Sequence, residues 1–225
     1  MTERSQTIVS YEEWEAAITS HREEEKRLMH AKDRLAEKRR GLPRLRVTED
    51  YLFRSNTSEL NLTALFDGRR QLIVYHHMLK PADPAPCSGC SMFADSLPNL
   101  AHLHARETSL AMVSEAPIAE ISAFQNRMGW DIPWVESLGE FNADMGIRGG
   151  FGVNVFLRKG DGIYRTYATS GRGVEDLGSV WGLLDVTAFG RQESWQVAPE
   201  GTPQSAPYVW WRLHDEYQRA AEDRL

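Results

Sequence analysis

The stretch "LIVYHHMLKPADPAPCSGCSMFADSL", Leu72–Leu97, runs from a β-branched and aromatic segment through a proline-rich connection into two cysteines and a second apolar run. Its first eight residues predict a central strand buried on both faces. Pro81, Pro84 and Pro86 predict a rigid loop. Beyond it, Met92, Phe93, Leu97, Leu100 and Leu103 share one face at helical spacing, with Pro98 expected to kink the helix. Cys87 and Cys90, the only cysteines, therefore stand where loop passes into helix. Three readings of the pair are open: a redox dithiol, part of a soft-metal site, or two buried thiols without chemistry. A structural disulfide is the weakest, since a two-residue spacer closes too small a loop to constrain the unfolded chain usefully.

Outside this stretch the sequence divides by composition. Residues 11–40 are rich in Glu, Lys and Arg and lack Gly and Pro, which predicts a long helix ended by Gly41 and Pro43. Its apolar positions, Tyr11, Trp14, Ile18, Leu28 and Leu35, are interrupted by His21, Glu25 and Lys32. Packing is expected at both ends, on the domain or on a second copy of the chain, with a solvated middle. "LRVTEDYLF" (45–53) reads as a strand, "NTSELNLTALFDGRRQ" (56–71) as a turn and short helix, and "TSLAMVSEA" (108–116) as a strand. "PIAEISAFQNRMG" (117–129) reads as a helix between Pro117 and Gly129. "DIPWVES" (131–137) is a short strand, "EFNADMG" (140–146) a helical turn. The two runs around "KGDG" (159–162) form a hairpin, residues 175–186 a helix, and "VWWRLHDEY" (209–217) a helix closing an aromatic-rich tail. The domain reading is an N-terminal helical arm at 1–41, an α/β domain at 42–190, and a tail with its helix packed on that domain at 191–225.

A chain of 225 residues with 41% hydrophobic residues can bury one sizeable core. Its formal net charge of −6 offers no positive field for nucleic acid or an anionic membrane. No apolar run reaches the roughly 20 residues of a membrane span, and none near the N-terminus has signal-peptide character. The sequence predicts a soluble, cytoplasmic protein with no nucleic-acid or membrane partner, in a compartment that keeps thiols reduced. A thiol at a helix N-terminus meets unpaired N–H groups and the positive end of the helix dipole, which favours the thiolate. Cys87 is thus the expected attacking thiol and Cys90, one turn in, the resolving one; Ser88 and Gly89 permit the tight turn.

The run "LNLTALFDGRRQLIVYHHMLKPADPAPCSGC" (60–90) resembles the opening of thioredoxin-like and peroxiredoxin-like proteins. Residues 42–217 resemble one bacterial branch of them, domain of unknown function 899. The match is carried by "LFDGRRQLIVYH", "CSGCS", "RMGWDIPWVES", "FNADMG", "LLDVTAFGRQE" and "HDEY". It implies a thioredoxin-like three-layer α/β/α fold with a central mixed sheet. It also implies dithiol-disulfide exchange without a bound cofactor, a thiol or disulfide substrate and an external reductant. Two positions depart from the wider families. Where thioredoxins carry a cis-proline facing the dithiol, this chain has Gly152 or Val153, and where peroxiredoxins place Thr or Ser three residues before the attacking cysteine it has Pro84.

Pro86, Ser88, Gly89, Trp130, Trp134, Gly152 and Val153 are the expected substrate-facing positions. The resemblance places Trp130 and Trp134 near the dithiol, where they could wall a groove, although core packing is the commoner fate of such rings. His76 and His77 point to opposite faces of their strand, so either could join Cys87 and Cys90 around Zn²⁺ or Cu⁺; a hydrogen-bonded structural role is the competing reading. His102 and His104 lie too far along the helix for that site. Arg127 and Arg148 are candidates to steady an anionic substrate or a thiolate, against the plainer reading of exposed arginines. The consecutive His214, Asp215 and Glu216 diverge around a helix and are read as part of a docking segment, with Trp210, Trp211 and Leu213 supplying apolar area.

Overall fold

The computed structural model describes residues 7–217. Its centre is an eight-stranded mixed sheet in the order β1-β8-β7-β4-β5-β6-β2-β3. The strands are β1 (Leu45–Val47), β2 (Leu52–Arg54), β3 (Glu59–Asn61), β4 (Gln71–His76), β5 (Thr108–Ser114), β6 (Trp134–Ser137), β7 (Gly152–Lys159) and β8 (Gly162–Ser170). β4, β5 and β6 are parallel neighbours, while β7 runs antiparallel to β4 and β8 antiparallel to β7. Helices α1 (Tyr11–Arg40), α2 (Leu62–Leu65), α3 (Ser88–Asp95), α4 (Ala101–His104), α5 (Ile118–Met128), α6 (Phe141–Asp144), α7 (Arg172–Glu175) and α8 (Ser179–Asp185) complete the elements.

The central strand is where the apolar run predicts it, and its alternation divides the interior into two layers. Leu72 and Val74 pack with Phe53, Phe66, Phe141 and Phe156 under α2 and α6. Tyr75, on the other face, packs with Cys90 and Phe93 of α3, Ile121 and Phe124 of α5, Trp181 of α8 and Leu213 of the tail. Helices therefore cover both faces. Gly129 at φ 65° is the left-handed residue that ends α5. Gly160 at φ 61° turns the β7–β8 hairpin.

Several expectations are corrected. "LRVTEDYLF" is not one strand but two, β1 and β2, which pair at opposite ends of the sheet. Three residues of it are too few to tell one edge from the other by pattern. A further short strand, β3, precedes α2. Pro98 breaks its helix rather than kinking it, leaving α3 and α4 as separate pieces. Residues 175–186 likewise divide, α7 ending at Glu175 and α8 beginning at Ser179. α1 forms with its bounds and a Ser10–Glu13 capping box as the composition demands, yet none of its residues is buried. Tyr11 and Trp14 at its start are exposed, so that end does not pack on this chain's own domain; near its other end Arg39 stacks over Tyr167 at 4.5 Å. In the tail, residues 207–210 and 214–216 form turns on either side of an irregular stretch at 211–213 instead of a helix, and positions 218–225, which the tail reading also covered, lie outside the described residues.

His76 and His77 give the fold a pH dependence. Both are buried, and burial lowers their pKa from the ordinary 6.5 to about 4 for His76 and about 3 for His77. The unfolded chain takes up protons near pH 6.5 that the folded chain refuses. Folding free energy is therefore undiminished above that value and falls as the pH drops from 6.5 towards 4 and below. The slope approaches about 1.4 kcal/mol per pH unit for each histidine. Urea unfolding between pH 7.5 and 4.5 should show this loss, and His77→Phe, which keeps an aromatic ring without a titratable nitrogen, should remove about half of the slope.

Candidate active site

Cys87 is the N-cap of α3, and its sulfur does what a Ser or Asp oxygen does at other helix starts: it accepts the backbone N–H of Cys90 at 3.3 Å. The turn is closed by Ser91, whose N–H and hydroxyl both donate to the Cys87 carbonyl at 3.0 Å. Cys87 is half-buried, Cys90 is buried, both are free thiols, and the two residues come within 3.1 Å of each other. The loop leading in is fixed from α5, where the Glu120 carboxylate accepts the Ala82 N–H at 2.8 Å.

The environments drive the two thiols apart. Hydrogen bonding from the Cys90 thiol, helped by the N–H groups of Cys90 and Gly89, overcomes burial and lowers the Cys87 pKa to about 7. Burial first, then the neighbouring Cys87 sulfur, push Cys90 well above its ordinary value. The buried Tyr75 hydroxyl also hydrogen-bonds Cys90 from β4. The pair thus holds one accessible nucleophile and one shielded thiol that retains its proton.

Cys87 opens into a cavity of about 600 Å³ shared with Pro86, Ser88, Lys80, Arg127 and Arg212. Of the expected substrate-facing residues, Pro86 and Ser88 are thus brought to the half-buried Cys87 thiol. Gly89 is instead roofed: a Cβ at this position would lie 2.3 Å from the Trp211 ring. Trp130 and Trp134 do not wall this cavity. With Phe124 they surround His77, whose centroid lies 4.6 Å from that of Trp134. Gly152 and Val153 are buried strand positions opposite His76 and Tyr75, away from the cavity. A side chain at Gly152 would meet the Thr169 carbonyl at 2.8 Å, so the position requires close backbone approach.

The histidines do not complete a metal site with the cysteines. The Oδ1 of Asn142 accepts from His76 Nδ1 at 2.7 Å, and Asn154 donates to Nε2 at 2.9 Å, in the layer opposite the dithiol. That arrangement fixes the neutral tautomer. His77 lies in its aromatic cage with neither ring nitrogen hydrogen-bonded. Among the described residues no group of three or more His, Cys, Asp or Glu side chains is placed to hold a metal ion. Arg148 is exposed.

The sequence reading missed how the tail is held. Arg127 of α5 grips Asp215 through two bonds, at 2.8 and 3.0 Å, and reaches Glu216 at 3.3 Å. Asp95, at the end of α3, accepts Trp130 Nε1 at 2.7 Å and pairs with His214 Nδ1 at 2.8 Å. Further back, buried Glu193 accepts the indole N–H groups of Trp195 and Trp210 at 2.6 and 2.9 Å. Burial alone would raise its pKa, but these bonds, the Tyr208 N–H and the Arg191 charge hold it below the ordinary carboxylate value. The signal in the sequence was "HDEY" itself, whose His214 reaches Asp95 and whose Asp215 and Glu216 reach Arg127.

A family described as bacterial protein of unknown function, DUF899, matches residues 3–217. The chain belongs to this family. No curated protein matches it. Among solved structures, the bacterioferritin comigratory protein of Xanthomonas campestris, described for alkyl peroxide reduction, is similar at 13% identity and a TM-score of 0.40. That likeness covers 60% of this chain and 90% of the other. No helix among the described residues is long and apolar enough to cross a membrane.

Alkylation should report the asymmetry directly. The iodoacetamide rate at Cys87 is expected to rise with a midpoint near pH 7, with Cys90 unmodified in the folded protein until well above pH 9. Gly89→Ala should displace Trp211 and increase proteolytic nicking of the tail, while Ser88→Ala should leave the tail protected.

Proposed function

We propose that this chain is a thiol-disulfide oxidoreductase of thioredoxin-like architecture, with Cys87 attacking and Cys90 resolving. The observation that carries the reading is the opposed environment of the two sulfurs: an accessible Cys87 lowered to about 7 beside a buried Cys90 raised well above its ordinary value. Topology supports it. The partial order β8-β7-β4-β5, with β5 parallel and β7 antiparallel to β4, puts the dithiol at the first turn of the helix after the central strand. That is the place a thioredoxin-like exchange enzyme uses. In this reading the exchange domain spans 42–190, with 1–41 and 191–225 as appendages.

The chemistry follows from the geometry. The Cys87 thiolate attacks one sulfur of a disulfide R–S–S–R, forming Cys87–S–S–R and releasing RS⁻, which takes a proton from solvent. Cys90 then gives up its proton and attacks the Cys87 sulfur, releasing the second RS⁻. The substrate gains two electrons as two thiols, and the protein is left with a Cys87–Cys90 disulfide. A separate dithiol reductant restores the reduced pair. Tyr75, hydrogen-bonded to Cys90, positions the resolving thiol beneath Cys87.

Equilibration of metal-free protein in glutathione or dithiothreitol buffers, read by alkylation and mass, should give a reversible two-electron transition with a slope of about 30 mV per tenfold change. Cys90→Ser should accumulate a mixed disulfide on Cys87, and Cys87→Ser should form none. Failure of the wild-type pair to close into an internal disulfide would overturn the proposal.

A further inference from the structure

We infer that the tail makes this a site for low-molecular-weight disulfides bearing carboxylates, with Trp211 the specificity-determining residue that shuts out disulfides of folded proteins. The inference deepens the exchange reading above and rests on it. Three observations converge. The Trp211 ring lies directly on Gly89, the middle of the Cys87–Cys90 turn, so the surface where an extended polypeptide would lie across the dithiol is occupied by the chain's own side chain. Tyr208 packs edge-on against that ring at 4.6 Å, and Arg127 and Asp95 anchor the residues that follow it. Cys87 instead opens into the cavity of about 600 Å³, a volume suited to a small peptide or cofactor-sized molecule.

Charge indicates the class of molecule. Among the described residues Lys80 and Arg212 line this cavity without a carboxylate partner; the Arg212 guanidinium donates to the Val209 and Trp211 carbonyls, at 2.9 and 2.7 Å. Arg127 is already matched by Asp215 and Glu216, and Asp83 accepts the Ala85 N–H at 3.1 Å. Three cations, Lys80, Arg127 and Arg212, thus face two lining carboxylates, Asp83 and Glu216, and Lys80 and Arg212 are the cations without an ion pair, where a carboxylate on the disulfide would find them.

Single-turnover oxidation of the reduced full chain, followed by acid quench and alkylation, tests this with three probes: glutathione disulfide, cystamine as a cationic disulfide of comparable chemistry, and insulin as a protein disulfide. Wild-type protein should oxidise at least tenfold faster with glutathione disulfide than with either of the others. Trp211→Ala should raise the insulin rate at least tenfold. Asp95→Ala, which loosens the anchor without touching the cavity, should also raise the insulin rate while leaving the glutathione disulfide rate within twofold, and it serves as the second variant if the first folds poorly. Lys80→Gln should narrow the preference for glutathione disulfide over cystamine, an effect that a merely structural lysine would not produce. Insulin oxidising the wild type as fast as glutathione disulfide, or neither tail variant changing the insulin rate, would overturn the inference and leave the exchange reading standing. A pair inert to all three probes would overturn both.

Discussion

A strand buried from both sides must dispose of every side chain and backbone group it carries without help from water, and β4 is under that constraint. Its backbone is paired on one edge with β5 and on the other with β7. Its alternation then sends Tyr75 under α3 and His76 under α6. A slip of one residue would exchange them. The imidazole would face Cys90, and the phenol would face Asn142 and Asn154, which are spaced for a ring with two nitrogens. The His76 network is more than a satisfied core histidine. Asn154 also accepts from Arg165 of β8 at 2.6 Å, so the register of β4, β7 and β8 is fixed by polar pairings that only one alignment satisfies. The position of the dithiol inherits that alignment, because the loop from Met78 to Pro86 starts where β4 ends.

With the loop in place, three residues of separation are enough to give two identical side chains opposite properties. Capping turns the Cys87 sulfur towards the first N–H groups of α3, while one helical turn carries Cys90 down into the layer of Tyr75 and Phe93. Neither thiol needs a charged neighbour for this. The Asp83 carboxylate opposes the Cys87 thiolate, and hydrogen bonds outweigh it. The asymmetry is therefore a property of helix geometry and burial, and screening by salt should alter it little.

That much was legible in the sequence because it depends on local rules: an apolar run, prolines, a dithiol and helical spacing. The pattern fixed β4, α3, β5, α5 and the hairpin, and with them the position of both cysteines. It failed where the outcome depends on partners distant in sequence. Three-residue strands at 45–47 and 52–54 carry no periodicity that distinguishes one sheet edge from the other. The place of Trp130 and Trp134 near the sheet end leaves a groove wall and core packing both open, and it takes the fold to show that His77 is the ring they enclose. "VWWRLHDEY" has helical composition, but Glu193, Asp95 and Arg127 supply tertiary bonds that turns satisfy and a helix would not, and tertiary bonds override weak propensity. Trp211 could not be placed from the sequence, since nothing local says that an indole 122 positions after Gly89 will rest on it.

The strength of that closure can be reasoned from its parts. An exposed ion pair such as Arg127–Asp215 contributes about 0.2–1 kcal/mol. Leu213, only 3% exposed, contributes about 1.5–3 kcal/mol by leaving water. Trp211 adds further area on Gly89. The apolar contacts thus decide the stability of the closed tail, and the polar pins decide its register. An opening that costs about 3 kcal/mol exposes the dithiol surface in fewer than about 1% of molecules, by the tenfold-per-1.4 kcal/mol rule. A substrate that must wait for that opening is slowed by the same factor. One that enters through the cavity beside Cys87 is not slowed at all. A selectivity of two orders of magnitude between substrate classes therefore needs no contact to the favoured substrate; it needs only that Leu213 and Trp211 remain where burial puts them.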